Sequence, residues 1–491
     1  MIPTDLSTQR FPSLWKVCKF AFITLVTLIF SVYAVLAGLL WWGEQESSSP
    51  ETREDPVYVR SLEPHRMELL NDGLLSLDRR IELIEGARQS IDLEFFIYEL
   101  DTAARIITAK LVEAAKRGVK VRLLVDFAAP VFKLGPHYAG VLEKNGVEVR
   151  YYNSASLLRI FSSQHRSHRK LLSIDGQQAI TGDRNIANDY FNLSEHYNFL
   201  DSDIIVDDPA VESFSASFMH YWQSPLATPA ADMDAPAGDF DKNFHVASPE
   251  IIALIERIKS EAAKTVAQRK QPVCNDVVFV TDYSGTFAHN RQVYKRLQEF
   301  LQEFLQEAQS EVVSESPYFV LQQDGMNLLR NLSERGIKQV YLTNGLSSTD
   351  AWYTVSGMSF SLSALKQANI DVRLFNGSHP EKPITATENV PDRWGIHAKR
   401  AVVDRKHILI GTYNVDPRSA NFNSELMLIC RNNPDLANEL LLNINSHIAG
   451  SRQLFNADKS PLASLLKDSD TGQVTRFFLG LPLVYLFDFL L

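Results

Sequence analysis

The sequence predicts an α/β protein in which one plan, a mixed sheet flanked by helices, is used twice behind a single N-terminal transmembrane helix. Three observations carry that expectation. His168-Arg-Lys170-Leu-Leu-Ser-Ile-Asp175 returns with the same spacing as His397-Ala-Lys399-Arg-Ala-Val-Val-Asp404, and a glycine and an asparagine follow each copy at matching offsets, Gly182 and Asn185, then Gly411 and Asn414. With 12 histidines in the chain, composition yields only roughly a few hundredths of a match to H-x-K-x-x-x-x-D, so two are not accidental. The stretch before each motif repeats an order of strand, helix, Arg-Gly and strand, and residues 20–42 carry no charge.

Bulk properties set the frame. At 491 residues the chain exceeds one ordinary core, and the doubled motif favours two large units. An apolar fraction of 45% and a charged fraction of 22% exclude wholesale disorder. A net charge of -10 without a long Lys/Arg run argues against a nucleic-acid partner. Cys18, Cys274 and Cys430 form no metal-ligand cluster. Cys18 borders the apolar segment, so at most Cys274 and Cys430 could pair; both are read as separate buried small residues.

Phe20 to Trp42 is long enough to cross a bilayer core, which takes ~20 apolar residues. A cleaved signal peptide usually has a core of ~7–15 residues, so an uncleaved anchor is expected. Arg10, Lys16 and Lys19 precede the run and Glu44, Glu46, Glu51, Glu54 and Asp55 follow it, which puts the N-terminus in the cytoplasm and the body outside. Trp15, Trp41 and Trp42 stand where interfacial anchors belong.

Beyond a polar tether the pattern alternates. Ser90–Tyr98 reads as a strand, Thr102 can cap a helix running to Arg117, Gly118 ends it, and Val119–Asp126 and Val147–Tyr152 read as further strands. The second half repeats this with Glu311–Phe319, a helix ending at Arg335-Gly336, and Lys338–Thr343. Pro, Ala and Asp crowd Ser224–Asp241, which marks the boundary. Apolar residues at 300, 301, 304, 305 and 308 follow helical spacing on a surface helix. The expected organisation is a cytoplasmic tail 1–19, an anchor 20–42, a tether 43–60, repeats over 61–240 and 241–455, and an apolar tail 456–491. Interrupted by Pro482 and Asp488, that tail is too short to span a membrane and either packs on the core or touches the bilayer surface.

Extended chain points residues i and i+2 the same way, so His168 and Lys170 share a face, as do His397 and Lys399. If the repeats close on each other, two imidazoles and two ammonium groups converge with Asn185 and Asn414. Such a pocket suits a phosphodiester: lysines and asparagines hold the non-bridging oxygens, one neutral histidine attacks phosphorus, and the other, protonated, donates to the leaving alcohol. No metal or cofactor is required. Isolated histidines such as His137, His220 and His289 fit core or surface roles; His165 and His196 lie nearer the motif but lack the Lys and Asp partners. Asp175 and Asp404 follow an apolar run and can close a turn as well as serve the chemistry.

The two motifs with G-x-x-N downstream resemble the phospholipase D superfamily over roughly residues 60 to 450. Residues 90–98, 116–126, 167–176 and 411–419 resemble bacterial cardiolipin synthases in particular. The resemblance implies a bilobed α/β/α/β/α fold, phosphatidyl transfer through a covalent phosphohistidine, phospholipid and membrane as partners, and a place on the periplasmic side of the inner membrane. It makes His168 the nucleophile and His397 the general acid, with Lys170, Lys399, Asn185 and Asn414 on the phosphate. Glu425 and Asp201 become the carboxylates that orient the histidines, which serving which left open. Two residues depart from the family pattern, Asp183 after Gly182 and Arg405 after Asp404, and both bear on pocket geometry. Hydrolysis to phosphatidic acid is the alternative outcome of the same site, and a nuclease a weaker one.

Overall fold

The computed structural model describes residues 19, 22–32, 34, 35, 38, 58–127, 134–154, 164–207, 211–233, 248–266, 271–284, 297–379, 393–455, 460–487 and 491. Residues 1–52 and 155–164 are grouped apart from the body, which comprises the rest of the chain. Residues 22–32 are helical and mostly exposed. Among the described residues no helix is long and apolar enough to cross a membrane. The expected anchor, tail and tether lie partly or wholly outside them.

Among the described residues the body carries twenty strands. In chain order the first ten are β1 (Tyr58–Ser61), β2 (His65–Leu70), β3 (Ser90–Phe95), β4 (Lys120–Asp126), β5 (Val147–Tyr152), β6 (Leu171–Ile174), β7 (Gln178–Gly182), β8 (Asn198–Leu200), β9 (Asp203–Asp207) and β10 (Ala227–Pro229). The second ten are β11 (Val273–Cys274), β12 (Val277–Thr281), β13 (Glu311–Glu315), β14 (Lys338–Asn344), β15 (Asp371–Phe375), β16 (Trp394–Ile396), β17 (Arg400–Val403), β18 (His407–Gly411), β19 (Leu426–Cys430) and β20 (Ser451–Gln453).

Two nine-stranded mixed sheets result, ordered β10-β5-β4-β3-β6-β7-β9-β2-β11 and β20-β15-β14-β13-β17-β18-β19-β12-β1. They match strand for strand, so the duplication read from the motifs extends to the whole topology. The end strands are exchanged: β1 precedes the first repeat yet pairs with β12, while β11 leads into the second yet pairs with β2.

Local chemistry explains the elements. The helix Thr102–Lys116 is capped by Asp101, not Thr102, because the Asp101 carboxylate accepts from the Ala104 N–H. Gly118 and Gly336 end equivalent helices at φ of 89° and 77°, a conformation that costs glycine nothing. The surface helix forms at Leu297–Gln306 and buries Leu297, Leu301 and Phe304. The tail helix Thr471–Leu486 buries Phe477 and Val484 but leaves Leu479 74% and Tyr485 70% exposed, so it packs on the body with one face uncovered.

Five layers follow. Outer helices cover one face of the first sheet through Leu93, Ile106 and Leu172, and one face of the second through Leu301, Leu329 and Val403. Between the sheets lie the helices Val211–Trp222 and Pro434–Ala449, with Phe214, Phe218, Leu440 and Ile444 in one shared core.

Cys274 and Cys430 correct the sequence reading: they form a disulfide, with Cα atoms 6.1 Å apart. Register brings them together. Val277 of β12 pairs with Cys430 of β19, which leaves Cys274 just past the end of that pairing. A separation of 156 residues hides this in the sequence. The bond ties β11 of the first sheet to β19 of the second.

Candidate active site

Each histidine is fixed by the opposite repeat. The His168 N–H donates to Ser424 O at 3.0 Å, and the Ser424 N–H returns a bond to Arg166 O. The carboxylate of Glu425 thereby faces the imidazole, with Oε2 3.0 Å from His168 Nδ1. The second motif mirrors the first. β16 runs parallel to β8, the His397 N–H donates to Leu200 O at 3.0 Å, and Asp201 meets His397 Nδ1 at 3.1 Å. Nδ1 is occupied in both rings, which leaves Nε2 of each for chemistry. The H-x-K stretches are extended leads into β6 and β17 and not themselves strand, yet they keep the expected sidedness. Lys170 Nζ donates to His168 O at 2.6 Å, and Lys399 Nζ lies 3.1 Å from His397 Nε2.

The asparagines close the ring. Asn185 Oδ1 accepts from the Ile97 N–H, and its side chain is also hydrogen-bonded to Tyr190. Asn414 is anchored through its own N–H on Ser419 Oγ, and its buried Oδ1 has no partner among the described residues. Phe96 stands edge-on to His168, and Tyr190 and Phe199 flank His397, all with ring centroids about 5 Å away.

Burial dominates the electrostatics. It lowers His168 to about 4 against the opposing pull of Glu425, and Lys170 adds to the fall. His397 falls well below the usual imidazole value through burial, then Lys399 and Lys170. The lysines are lowered by burial too, Lys170 further by Lys399. The two carboxylates differ. Burial pushes Glu425 up, but His168, Lys170 and the Thr412 hydroxyl outweigh it and hold it below the usual range. Asp201 rises well above that range through burial and the neighbouring Asp183, and Asp183 is itself pushed by burial to about 7. The first imidazole therefore faces a carboxylate held toward its ionised form, and the second faces one biased toward its protonated form.

This pairing of repeats can be compared with known proteins. The family model described as cardiolipin synthase, PLD-like domain, matches residues 81–222 and 301–448, more than half of the chain and both motifs. The chain belongs to the phospholipase D-like cardiolipin synthase family. It is 26% identical over 386 residues to cardiolipin synthase C of Escherichia coli K12, covering 73% of this chain and 79% of that one. A protein of Helicobacter pylori 26695 without an assigned function is 27% identical over 414 residues, 79% and 80% of the two chains. Phosphatidylserine synthase of Haemophilus influenzae shares the fold, with a TM-score of 0.60 at 14% identity over 87% of this chain and 95% of that one. Membership makes this chain a phospholipase D-type phosphatidyltransferase enzyme.

Not every motif residue of this cardiolipin synthase family member reaches the pocket. Asp175 accepts the N–H groups of Arg88, Gln89 and Ser90 where β3 begins, and Asp404 those of Gln309, Ser310 and Glu311 where β13 begins. Asp404 lies five residues beyond Lys399, about 16 Å along extended chain, at the other end of the sheet. Arg405 occupies that turn at φ 55°, as Gly176 does at 64°, and its side chain pairs with Glu311. Contrary to expectation, Arg405 bears on that turn and not on the pocket. The sequence reading missed the residues that hold Glu425: Thr412 and Ser419 donate their hydroxyls to it, and Asn423 its amide. Ser419 and Asn423 sit within six residues of Glu425, a proximity that could have marked them.

Proposed function

We propose that the protein is a membrane-held enzyme that joins two phospholipids, phosphatidylglycerol among them, into cardiolipin through a phosphohistidine on His168. The observation that carries this reading is the crossed pairing of His168 with Glu425 and of His397 with Asp201. Neutral His168 attacks phosphorus through Nε2 while its Nδ1–H stays on Glu425. The bond from phosphorus to the leaving oxygen breaks, and His397 Nε2–H gives that oxygen its proton. In the second half the hydroxyl of phosphatidylglycerol attacks the phosphohistidine, His397 takes its proton, and His168 is released. Lys170, Lys399, Asn185 and Asn414 hold the non-bridging oxygens and offset the charge that builds on them. An anionic phosphate entering beside Lys399 also favours protonation of His397, which the two ammonium groups otherwise oppose.

Location follows similar reasoning. The Cys274–Cys430 disulfide suits an oxidising compartment, and so supports a body on the periplasmic side of an anchor at 20–42. The uncovered face of the helix Thr471–Leu486, with Leu479, Leu483 and Tyr485 in solvent, supports contact with a bilayer surface. The test is mass spectrometry of the lipids formed when purified protein meets phosphatidylglycerol alone or with a second phospholipid. Cardiolipin is expected from the wild type and not from His168→Ala. Equal yields from the two would reject the reading, and free phosphatidic acid as the main product would make the enzyme a hydrolase.

A further inference from the structure

The two repeats share a strand order but not a filling. Leu93 of β3 pairs with Leu172 of β6, and at the same register Ser314 of β13 pairs with Ala401 of β17. Phe95 and Ser316 correspond likewise, each one residue past a glutamate, Glu94 and Glu315, that faces its partner strand equivalently. In the first repeat Leu93, Phe95 and Leu172 are buried in the core beneath the outer helices. In the second, two serines and an alanine stand in their places, and the volume they give up is open.

The opening is a cavity of about 130 Å³, bounded on the helix side by Leu301, Leu305, Leu328 and Leu329. A tightly packed interior does not leave such a space without loss of stability. Water is a poor occupant of so apolar a space. Its lining includes Tyr413, Asp416 and Lys399, whose Nζ is 3.1 Å from His397 Nε2. Half-buried Gln298, Gln302 and Gln322, on or beside the helices Leu297–Gln306 and Gln323–Glu334, line it where it meets solvent. An occupant that is apolar along its length and carries an anionic group beside Lys399 fits this lining.

We infer that this cavity receives a fatty acyl chain of the phosphatidyl group whose phosphate lies between the two histidines, an inference that rests on the lipid substrate proposed above. Its size is close to the ~150 Å³ of an apolar cavity that admits benzene, so it encloses several methylenes, and the rest of the chain leaves past the glutamines. The second repeat thus reads the chain while both repeats read the phosphate.

Refilling the cavity tests this. Ser314→Leu and Ala401→Leu restore the side chains that the first repeat carries. Each buried methylene contributes about fourfold to binding. The preference for dioleoyl over dibutyryl phosphatidylglycerol, taken as the ratio of the two kcat/KM values, should fall at least tenfold in the double variant. An unaltered ratio in a variant that melts cooperatively overturns the inference. A measurement independent of turnover accompanies it: phosphatidylglycerol with a diazirine in the acyl chain, photolysed on the full-length wild type, should label peptides containing Leu301 or Leu328. Labelling confined to other peptides overturns the assignment, even if the substituted protein fails to fold. A wild type that is labelled here yet makes no cardiolipin would reject the proposed reaction and keep the cavity.

Discussion

Glu425 Oε2 lies 3.0 Å from His168 Nδ1, and the two residues belong to opposite repeats. Neither repeat holds a complete acid or nucleophile, since His397 depends in the same way on Asp201. Glu425→Gln keeps the shape of the side chain but removes the charge that fixes the His168 tautomer. By the precedent of an orienting carboxylate in a serine-protease triad, kcat should fall on the order of 10³–10⁴-fold with little change in KM. Steady-state cardiolipin formation measures this, and a loss below tenfold would show that the carboxylate only packs against the ring.

His168 attacks only when neutral, and its environment lowers it from the usual 6.5 to about 4. Below the lowered value the ring is protonated; above it the ring is free. The acid limb of phosphohistidine formation in single-turnover experiments should therefore lie near pH 4. Lys170→Met removes a neighbouring charge that opposes imidazolium, so the same limb should move to higher pH while the rate falls. A wild-type limb at pH 6 to 7 would contradict the buried, lysine-flanked setting.

Asp183 stands in the first repeat where Thr412 stands in the second, each following the glycine that ends β7 or β18. Thr412 donates to Glu425 and helps keep it ionised, whereas Asp183 raises Asp201. Asp183→Thr should favour the ionised form of Asp201, and negative charge beside Nδ1 raises His397. The general acid works only while protonated, so the basic limb of kcat should shift to higher pH. An unmoved limb would mean that Lys399 and Arg184, which also act on Asp201, set its state alone.

Asp175 and Asp404 each gather backbone N–H groups at the start of a strand, away from the imidazoles. Hydrogen bonds to a charged group contribute about 1.5–3 kcal/mol, and the turn at Asp404 is only partly screened from solvent, so Asp404→Asn should cost about 1–2 kcal/mol of stability. Its kcat at temperatures where it stays folded should remain within a few fold of the wild type. A kcat reduced a hundredfold in a fully folded variant would return Asp404 to the chemistry.

These residues mark what a sequence can carry. Motif spacing and strand patterns are local, so both repeats, the strands at 120–126 and 147–152, and the two H-x-K stretches could be read directly. Relations across the fold could not. The pairing of Glu425 with His168 depends on a bridge between Ser167 and Ser424, more than 250 positions apart, and no spacing encodes it. The cap falls at Asp101 and not at Thr102: Asp and Thr are both good caps and only backbone geometry separates them. The cavity arises from serines whose smallness matters only against the leucine and phenylalanine that the other sheet carries at the same register.

The disulfide is the cross-link whose removal is easiest to follow. Two of the 3 cysteines are bonded, which leaves Cys18 as the one thiol expected on titration of unreduced, denatured protein. Closing a loop of 156 residues restricts the unfolded chain by about 5 kcal/mol in the chain-entropy model, and removal of native bonds typically costs about 2–5 kcal/mol. Unfolding entropy scales with length, so for a body of this size that range corresponds to a fall in Tm of about 2–6 °C. Reductant should lower the wild-type Tm by this amount and leave a Cys274→Ala, Cys430→Ala double variant unmoved. Because β11 belongs to the first sheet and β19 to the second, the loss falls on the contact that holds His168 against Glu425, and activity near the midpoint should decline with it. Three reactive thiols in the unreduced protein, or a Tm indifferent to reductant, would show that the two cysteines are neighbours without a bond.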